Sequence, residues 1–162
     1  MSSPSDKLDA IDYKILKLLQ QEGRITNLEL SNQIGLSPAP TLERVKKLEK
    51  QKFIDGYHAS LNKARLKLGV SVFIQVSLSR QVENVIIRFK ERIMHIPEIM
   101  ECYQITGNAD YLLKVLVQDI PAFEKLIADQ FSKMEEVGHV QTMLIISEMK
   151  QSRLLPLKYD EK

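Results

Sequence analysis

A single cysteine, Cys102, leaves no partner for an internal disulfide in these 162 residues and fits a reducing compartment. No run of eighteen apolar residues occurs, and the opening MSSPSDKLD lacks the apolar stretch of a signal peptide. The chain is therefore expected to be soluble and cytoplasmic, with no membrane partner. His58, His95 and His139 lie far apart with no HxxH or CxxC neighbours, so no metal site is expected. Walker-type GxxxxGK[ST], the nucleophile elbow GxSxG and the dinucleotide fingerprint GxGxxG are all missing. Around Cys102, EIMECYQIT alternates apolar residues as a half-buried strand does, and nothing beside the thiol would activate it. Neither an enzyme nor a cofactor protein is expected.

What is present is ordinary in bulk and uneven in detail. An apolar content of 44% beside 27% charged residues suits a globular chain, and the length allows one mid-sized domain or two small ones. The net charge of +2 does not announce nucleic acid. Within residues 38–52, however, Arg44, Lys46, Lys47, Lys50 and Lys52 face only Glu43 and Glu49, a focused basic patch.

Residues 9–50 predict three short helices. DAIDYKILKLLQQEG opens with Asp9 as N-cap, stops at Gly23, and sets Ile11, Ile15, Leu18 and Leu19 on one face. Thr26-Asn27-Leu28-Glu29 matches a capping box for a second helix that carries Leu28, Leu30 and Ile34 and stops at Gly35. A third helix starts at Ser37 and is expected to bury Leu42, Val45 and Leu48. The short glycine-bearing turn between the last two is that of a helix-turn-helix. Asp55-Gly56 between β-prone stretches predicts a hairpin, which after a helix-turn-helix is a wing.

Two prolines stand at the mouth of the third helix. With Ser37 as N-cap, Pro38 falls at N1 and Pro40 at N3, where amides have no intrahelical partner to lose. The mouth formed by Ser37, Pro38, Ala39 and Pro40 is thus rigid and poor in donors, suited to DNA by shape and apolar contact. Hydrogen-bonded reading is left to Thr41, Arg44 and their neighbours. Arg44 can meet guanine bidentately, whereas Lys47 and Lys50 suit phosphate. Glu43 either accepts from cytosine or pairs with Lys46, Lys47 or Lys50.

From residue 70 the pattern changes. VSVFIQVSLS alternates as a strand; VENVIIRFKERI sets Val82, Val85, Ile86, Phe89 and Ile93 on one helical face. IMECYQIT and DYLLKVLVQ are strands about a turn at Gly107-Asn108-Ala109. IPAFEKLIADQFSKM is a helix capped by Asp119, and HVQTMLIISEMK a last strand. The order βαββαβ predicts a ferredoxin-like sheet with two helices on one face. The chain is thus read as α+β: a winged helix-turn-helix domain over 1–60, a linker over 61–69, and a ferredoxin-like domain over 70–162. The sheet face left bare argues for self-association.

LDAIDYKILKLLQQEGRITNLELSNQIGLSPAPTLERVKKLEKQKFIDGY, QITGNADYLLKV and SRLLPL together resemble the Lrp/AsnC family of bacterial and archaeal transcription regulators. The resemblance spans nearly the whole chain. It implies an N-terminal domain that binds double-stranded DNA and a C-terminal domain that dimerises, assembles further, often to octamers, and senses a small molecule, commonly an amino acid. It also implies a nucleoid-associated protein of a prokaryotic cytoplasm. Family members place the effector around a strand-turn-strand of the form G-x-x-D, between dimers. On this chain that implies Gln104, Gly107, Asn108 and Asp110, with Ile120, Met143, Leu144 and Ile145 as further candidates. Asp110 would accept from the ligand's ammonium while turn amides meet its carboxylate. Leucine-responsive members tend to carry an acidic residue where Asn108 stands and an apolar one where Gln104 stands, which leaves the identity of the effector open. Many relatives have paired arginines where this chain has Glu43-Arg44. Two other readings stand beside this one: an architectural DNA-bridging protein with no effector, and a metabolic subunit with a protein-docking helical module.

Overall fold

The computed structural model describes residues 7–159. It divides into two compact units, one comprising the chain through Ser60 together with the segment from Lys150 onward, the other Leu61–Met149.

The first unit is built on α1 (Ala10–Gln21), α2 (Asn27–Ile34) and α3 (Pro38–Lys50). Asp9 caps α1, and a reciprocal box forms: Asp12 N–H donates to Asp9 Oδ1 at 2.8 Å and Asp9 N–H to Asp12 Oδ2 at 3.2 Å. The Thr26–Glu29 box forms at α2 as the spacing predicts, with Glu29 N–H on Thr26 Oγ1 at 3.2 Å and Thr26 N–H on Glu29 Oε2 at 3.0 Å. Gly35 ends α2 at φ +77°, the left-handed position that glycine takes without steric cost. Ile15, Leu30, Ile34 and Leu48 form the core.

Two helix faces differ from expectation. Leu28 and Leu42 are exposed; on α3 the inward positions are Thr41, Val45 and Leu48, with Arg44 beside them. Thr41 takes the buried turn because its hydroxyl donates to the Ser37 carbonyl at 2.9 Å, so a polar side chain is satisfied there. The hairpin at Asp55-Gly56 does not form: no strand is present between α3 and Val70, and neither residue has positive φ. A two-residue hairpin loop of this type needs φ > 0 at its centre, and a lone two-stranded ribbon is marginal without a face to pack. The tail returns to α1. Gln20 grips Leu155 from both sides, its Oε1 accepting from Leu155 N–H at 2.9 Å and its Nε2 donating to Leu155 O at 3.2 Å. Tyr159 stacks at a tilt on Tyr13, ring centres 5.3 Å apart.

The second unit runs β1 (Val70–Leu78), α4 (Glu83–Met94), β2 (Ile99–Gln104), β3 (Tyr111–Val117), α5 (Ile120–Asp129), a 3₁₀ turn at Phe131–Lys133, and β4 (Val137–Leu144). The sheet order is β2-β3-β1-β4, all antiparallel. Alternate residues Val72, Ile74 and Val76 of β1 pair with Val115, Leu113 and Tyr111 of β3, and this face is buried under Phe89 and Ile93 of α4 and Leu126 of α5. Alternation at period two is therefore real on the two central strands. Asp119 caps α5, accepting from Ala122 N–H at 2.8 Å. The buried Glu136 is held by Arg88 Nε at 3.1 Å, with Arg92 at 3.7 Å. The opposite face presents Phe73, Leu112 and Leu116 of the central strands with Tyr103 and Met143 of the edges, and neither helix of this unit packs on it.

Candidate functional site

The mouth of α3 is exposed throughout, from Ser37 through Pro38, Ala39 and Pro40. Ser37 occupies the N-cap with extended backbone, yet its hydroxyl makes no cap bond. No bond forms between the Ser37 hydroxyl and the Ala39 amide, and both remain open at the tip. Asn27, which the sequence reading passed over, donates from Nδ2 to Pro38 O at 2.9 Å and fixes this mouth against the start of α2.

Beyond the mouth, the helical phase sorts the side chains into two sets. Thr41 is fully buried and hydrogen-bonded to its own helix, so it is not placed to read DNA. Arg44 is turned toward α1: one guanidinium nitrogen lies 2.8 Å from Asp9 Oδ2 and 2.7 Å from Asp12 Oδ1. Hydrogen bonds to Asp9 and Asp12 hold its pKa above the ordinary arginine value. A guanidinium fastened to two carboxylates must release them before it can fork onto a guanine, so the geometry makes Arg44 a clamp between α1 and α3. For Asp9, burial alone would raise the carboxyl pKa, but the Asp12 amide and the Arg44 guanidinium outweigh it and hold it below the usual value.

The outward set is Ala39, Leu42, Glu43, Lys46, Lys47 and Lys50, all exposed. Among the described residues Glu43 makes no ion pair with any lysine, and Lys46, Lys47 and Lys50 are likewise unpaired. Glu49, the other carboxylate of α3, accepts from the Tyr57 hydroxyl at 3.0 Å. Burial first and the Glu49 carboxylate second push the Tyr57 hydroxyl up to about 12. Three lysines thus stand against the single carboxylate of Glu43 on the outer face of α3. Lys46 and Leu42 belong to that face and were missed; counting 100° per residue from Leu48 would have found both.

The second candidate site is the turn between β2 and β3. Gly107 takes φ +115°, with no atom within 4 Å of where a Cβ would lie. Asn108 and Gln104 are exposed. Asp110 is committed inside the chain: its Oδ2 accepts from Leu78 N–H at 2.8 Å, its Oδ1 from Gln81 Nε2 at 2.7 Å, and its own amide donates to Val76 O. It pins the turn to the end of β1, a duty that the G-x-x-D spacing does not reveal. The remaining candidates lie at the other end of the sheet. Met143 and Leu144 pair with Phe73 and Val72, the Ile145 amide donates to Ser71 O, and Ile120 follows the far end of β3. The six residue steps of β3 between the two groups span roughly 20 Å at about 3.4 Å per residue. One chain does not bring them together. An open depression of about 390 Å³ at the end of α4, lined by Arg92, His95 and Lys133 among others, includes none of them.

Cys102 lies on edge strand β2 and is exposed rather than half-buried; desolvation of its sulfur raises the thiol pKa, the reverse of an activated nucleophile. Among the described residues no three metal-ligand side chains cluster, and no helix is long and apolar enough to cross a membrane.

Comparison with known proteins bears on both sites. A family profile described as winged helix-turn-helix DNA-binding matches residues 8–55, and one described as Lrp/AsnC ligand binding domain matches residues 71–155. Leucine-responsive regulatory proteins of Klebsiella pneumoniae and of Escherichia coli K12 are each 42% identical over 155 residues, covering 96% of this chain and 94% of theirs. A transcriptional regulator of Neisseria meningitidis, solved in complex with L-methionine, superposes with a TM-score of 0.89 at 36% identity, covering 93% of this chain and 97% of that one. A feast or famine regulatory protein of M. tuberculosis complexed with L-methionine gives 0.81 at 27%, covering 92% and 99%.

Proposed function

This chain belongs to the Lrp/AsnC family of DNA-binding transcriptional regulators, not enzymes, and on that premise we propose that it reads duplex DNA with the outer face of α3 under control of an amino acid bound between copies. One observation carries the DNA half: the exposed cations Lys46, Lys47 and Lys50 of α3 are unpaired, while its Arg44 is held by Asp9 and Asp12. Lysines meeting phosphates supply affinity and strong salt dependence. Sequence discrimination then falls to Ala39, Leu42 and Glu43 at base edges, with Ser37 and Pro38 seating the mouth of α3 by shape. Two copies related by a two-fold axis would address half-sites about 34–36 Å apart on one side of the duplex. The protein would act on the nucleoid in a prokaryotic cytoplasm.

For the effector half, the separation of the two residue groups along the sheet supports a shared site. The Gly107–Asp110 turn of one copy and Ile120, Met143, Leu144 and Ile145 of another would together enclose one small zwitterion. The related regulators solved with L-methionine support an amino acid of that kind. The exposed Asn108 side chain and the turn amides would meet its polar ends, while Asp110 holds the turn in shape. Bare apolar sheet faces would join copies into dimers, and ligand bound between dimers would shift assembly toward or away from an octamer. Fluorescence anisotropy on a promoter duplex, with and without each of the twenty amino acids, tests both halves. DNA affinity that is unchanged by all twenty defeats the effector half, and no binding at low salt defeats the whole.

A second reading follows from Asp110, whose two oxygens are already bonded within the chain. On that reading the turn is structural and the assembly bridges DNA with no effector. A melting temperature raised by any one amino acid, through mass action on the folded state, decides against it.

A further inference from the structure

α3 closes with a Schellman motif: Phe53 N–H donates to Leu48 O at 3.0 Å and Lys52 N–H to Glu49 O at 3.0 Å. The residue between those bonds must turn left-handed, and Lys52 does so at φ +62°. At the equivalent end of α2 the chain uses Gly35, at φ +77°. A residue with a Cβ gives up about 1–2 kcal/mol in that conformation, which glycine does not. A cation at a helix C-terminus recovers typically 0.3–1 kcal/mol from the dipole. Lys47 and Lys50 already stand in the last turn of α3, so that gain is largely taken without Lys52.

Lys52 is exposed, and among the described residues no carboxylate pairs with it. Glu49 and Asp55 stand equally near in sequence; Glu49 is engaged by Tyr57, and Asp55 makes no ion pair with Lys52. A strained left-handed lysine with no partner in its own chain, directly following a helix whose outer lysines are equally unpaired, is the kind of position where strain is kept for function. We propose that Lys52 is a DNA-backbone contact, a cation retained at a glycine position because it meets a phosphate beside the groove that α3 enters. The proposal rests on the DNA-binding reading above and adds a residue to that surface.

The test uses the full chain, the variants Lys52→Gly and Lys52→Arg, and a random-sequence DNA duplex titrated over a range of KCl. Lys52→Gly is expected to melt at a higher temperature than wild type while binding the duplex several-fold more weakly. Its slope of log affinity against log salt should fall by about 0.9 for each copy engaged. Lys52→Arg is expected to keep the wild-type slope. Unchanged affinity and slope in Lys52→Gly would overturn the proposal while leaving the DNA-binding reading standing. A lowered melting temperature in Lys52→Gly would overturn the strain argument on which it stands. Absence of binding by the wild type at low salt would instead remove the DNA-binding reading itself.

Discussion

Asp12 is 4% exposed with one oxygen 2.7 Å from Arg44, so Arg44→Ala would strand a desolvated carboxylate inside the helical unit. The expected cost is about 2–3 kcal/mol of folding stability, below the roughly 3–5 kcal/mol of a fully buried pair because Arg44 is partly solvated. Urea unfolding measures it. The same variant is expected to lose no preference for specific over random DNA, which binding to both duplexes checks. Asp9 adds a pH dependence whose sign follows from its depressed pKa. Stability from the Asp9 contacts is fully present above the unfolded value of 3.8 and is lost as pH falls through the lower folded value. The stability that wild type holds over Asp9→Asn, measured by urea unfolding followed by circular dichroism, should therefore shrink as pH falls below 3.8. Tyr57 titrates at the opposite extreme. With its hydroxyl at about 12, stability from the Glu49 contact persists to pH 10 and is lost above it, and ultraviolet difference spectra should lose one late-ionising tyrosine in Tyr57→Phe. The residue scale is also where the sequence is least legible. Residue type told that Arg44 could read guanine, but only the packing of α1 against α3 shows that two aspartates claim it first. Asp110 repeats the lesson: the spacing marks the turn, while Leu78 and Gln81, roughly thirty residues earlier, determine what its carboxylate does.

Helices and central strands were nearly fully legible, since their signals are local: Asp9, Thr26 and Asp119 all cap where their spacing says. The hairpin at Asp55-Gly56 was not, because that pair is permissive and forms a hairpin only when flanking strands find a surface. Leu42 was misplaced because Thr41, one position earlier, satisfies its own hydroxyl and can take the buried turn. Two tests belong to elements. Arg88→Ala leaves the buried Glu136 with only Arg92 at 3.7 Å, and should cost about 2–3 kcal/mol in the sheet unit. Lys67 closes the turn after Asn62 at φ +58°, with Leu68 N–H on Lys63 O as in a Schellman motif. Lys67→Gly should therefore stabilise the sheet unit, by about 0.5–1 kcal/mol once the looser unfolded chain is counted.

At the scale of the whole molecule, the bare sheet face is the decisive feature. Half-buried Phe73, Leu112 and Leu116 share it with exposed Tyr103 and Met143, an apolar strip across all four strands. Leu112→Glu places a charge at its centre and is expected to yield a folded monomer by analytical ultracentrifugation, with DNA binding weakened through loss of the second half-site. A variant that stays oligomeric would assign association to some other surface.

The grip of Gln20 on Leu155 has a consequence in time. During synthesis α1 leaves the ribosome among the first elements, and Leu155 follows only after every strand of the sheet unit has been made. The helical unit is therefore discontinuous in the order of its making, and nascent chains carry three exposed helices that still lack their last fastening.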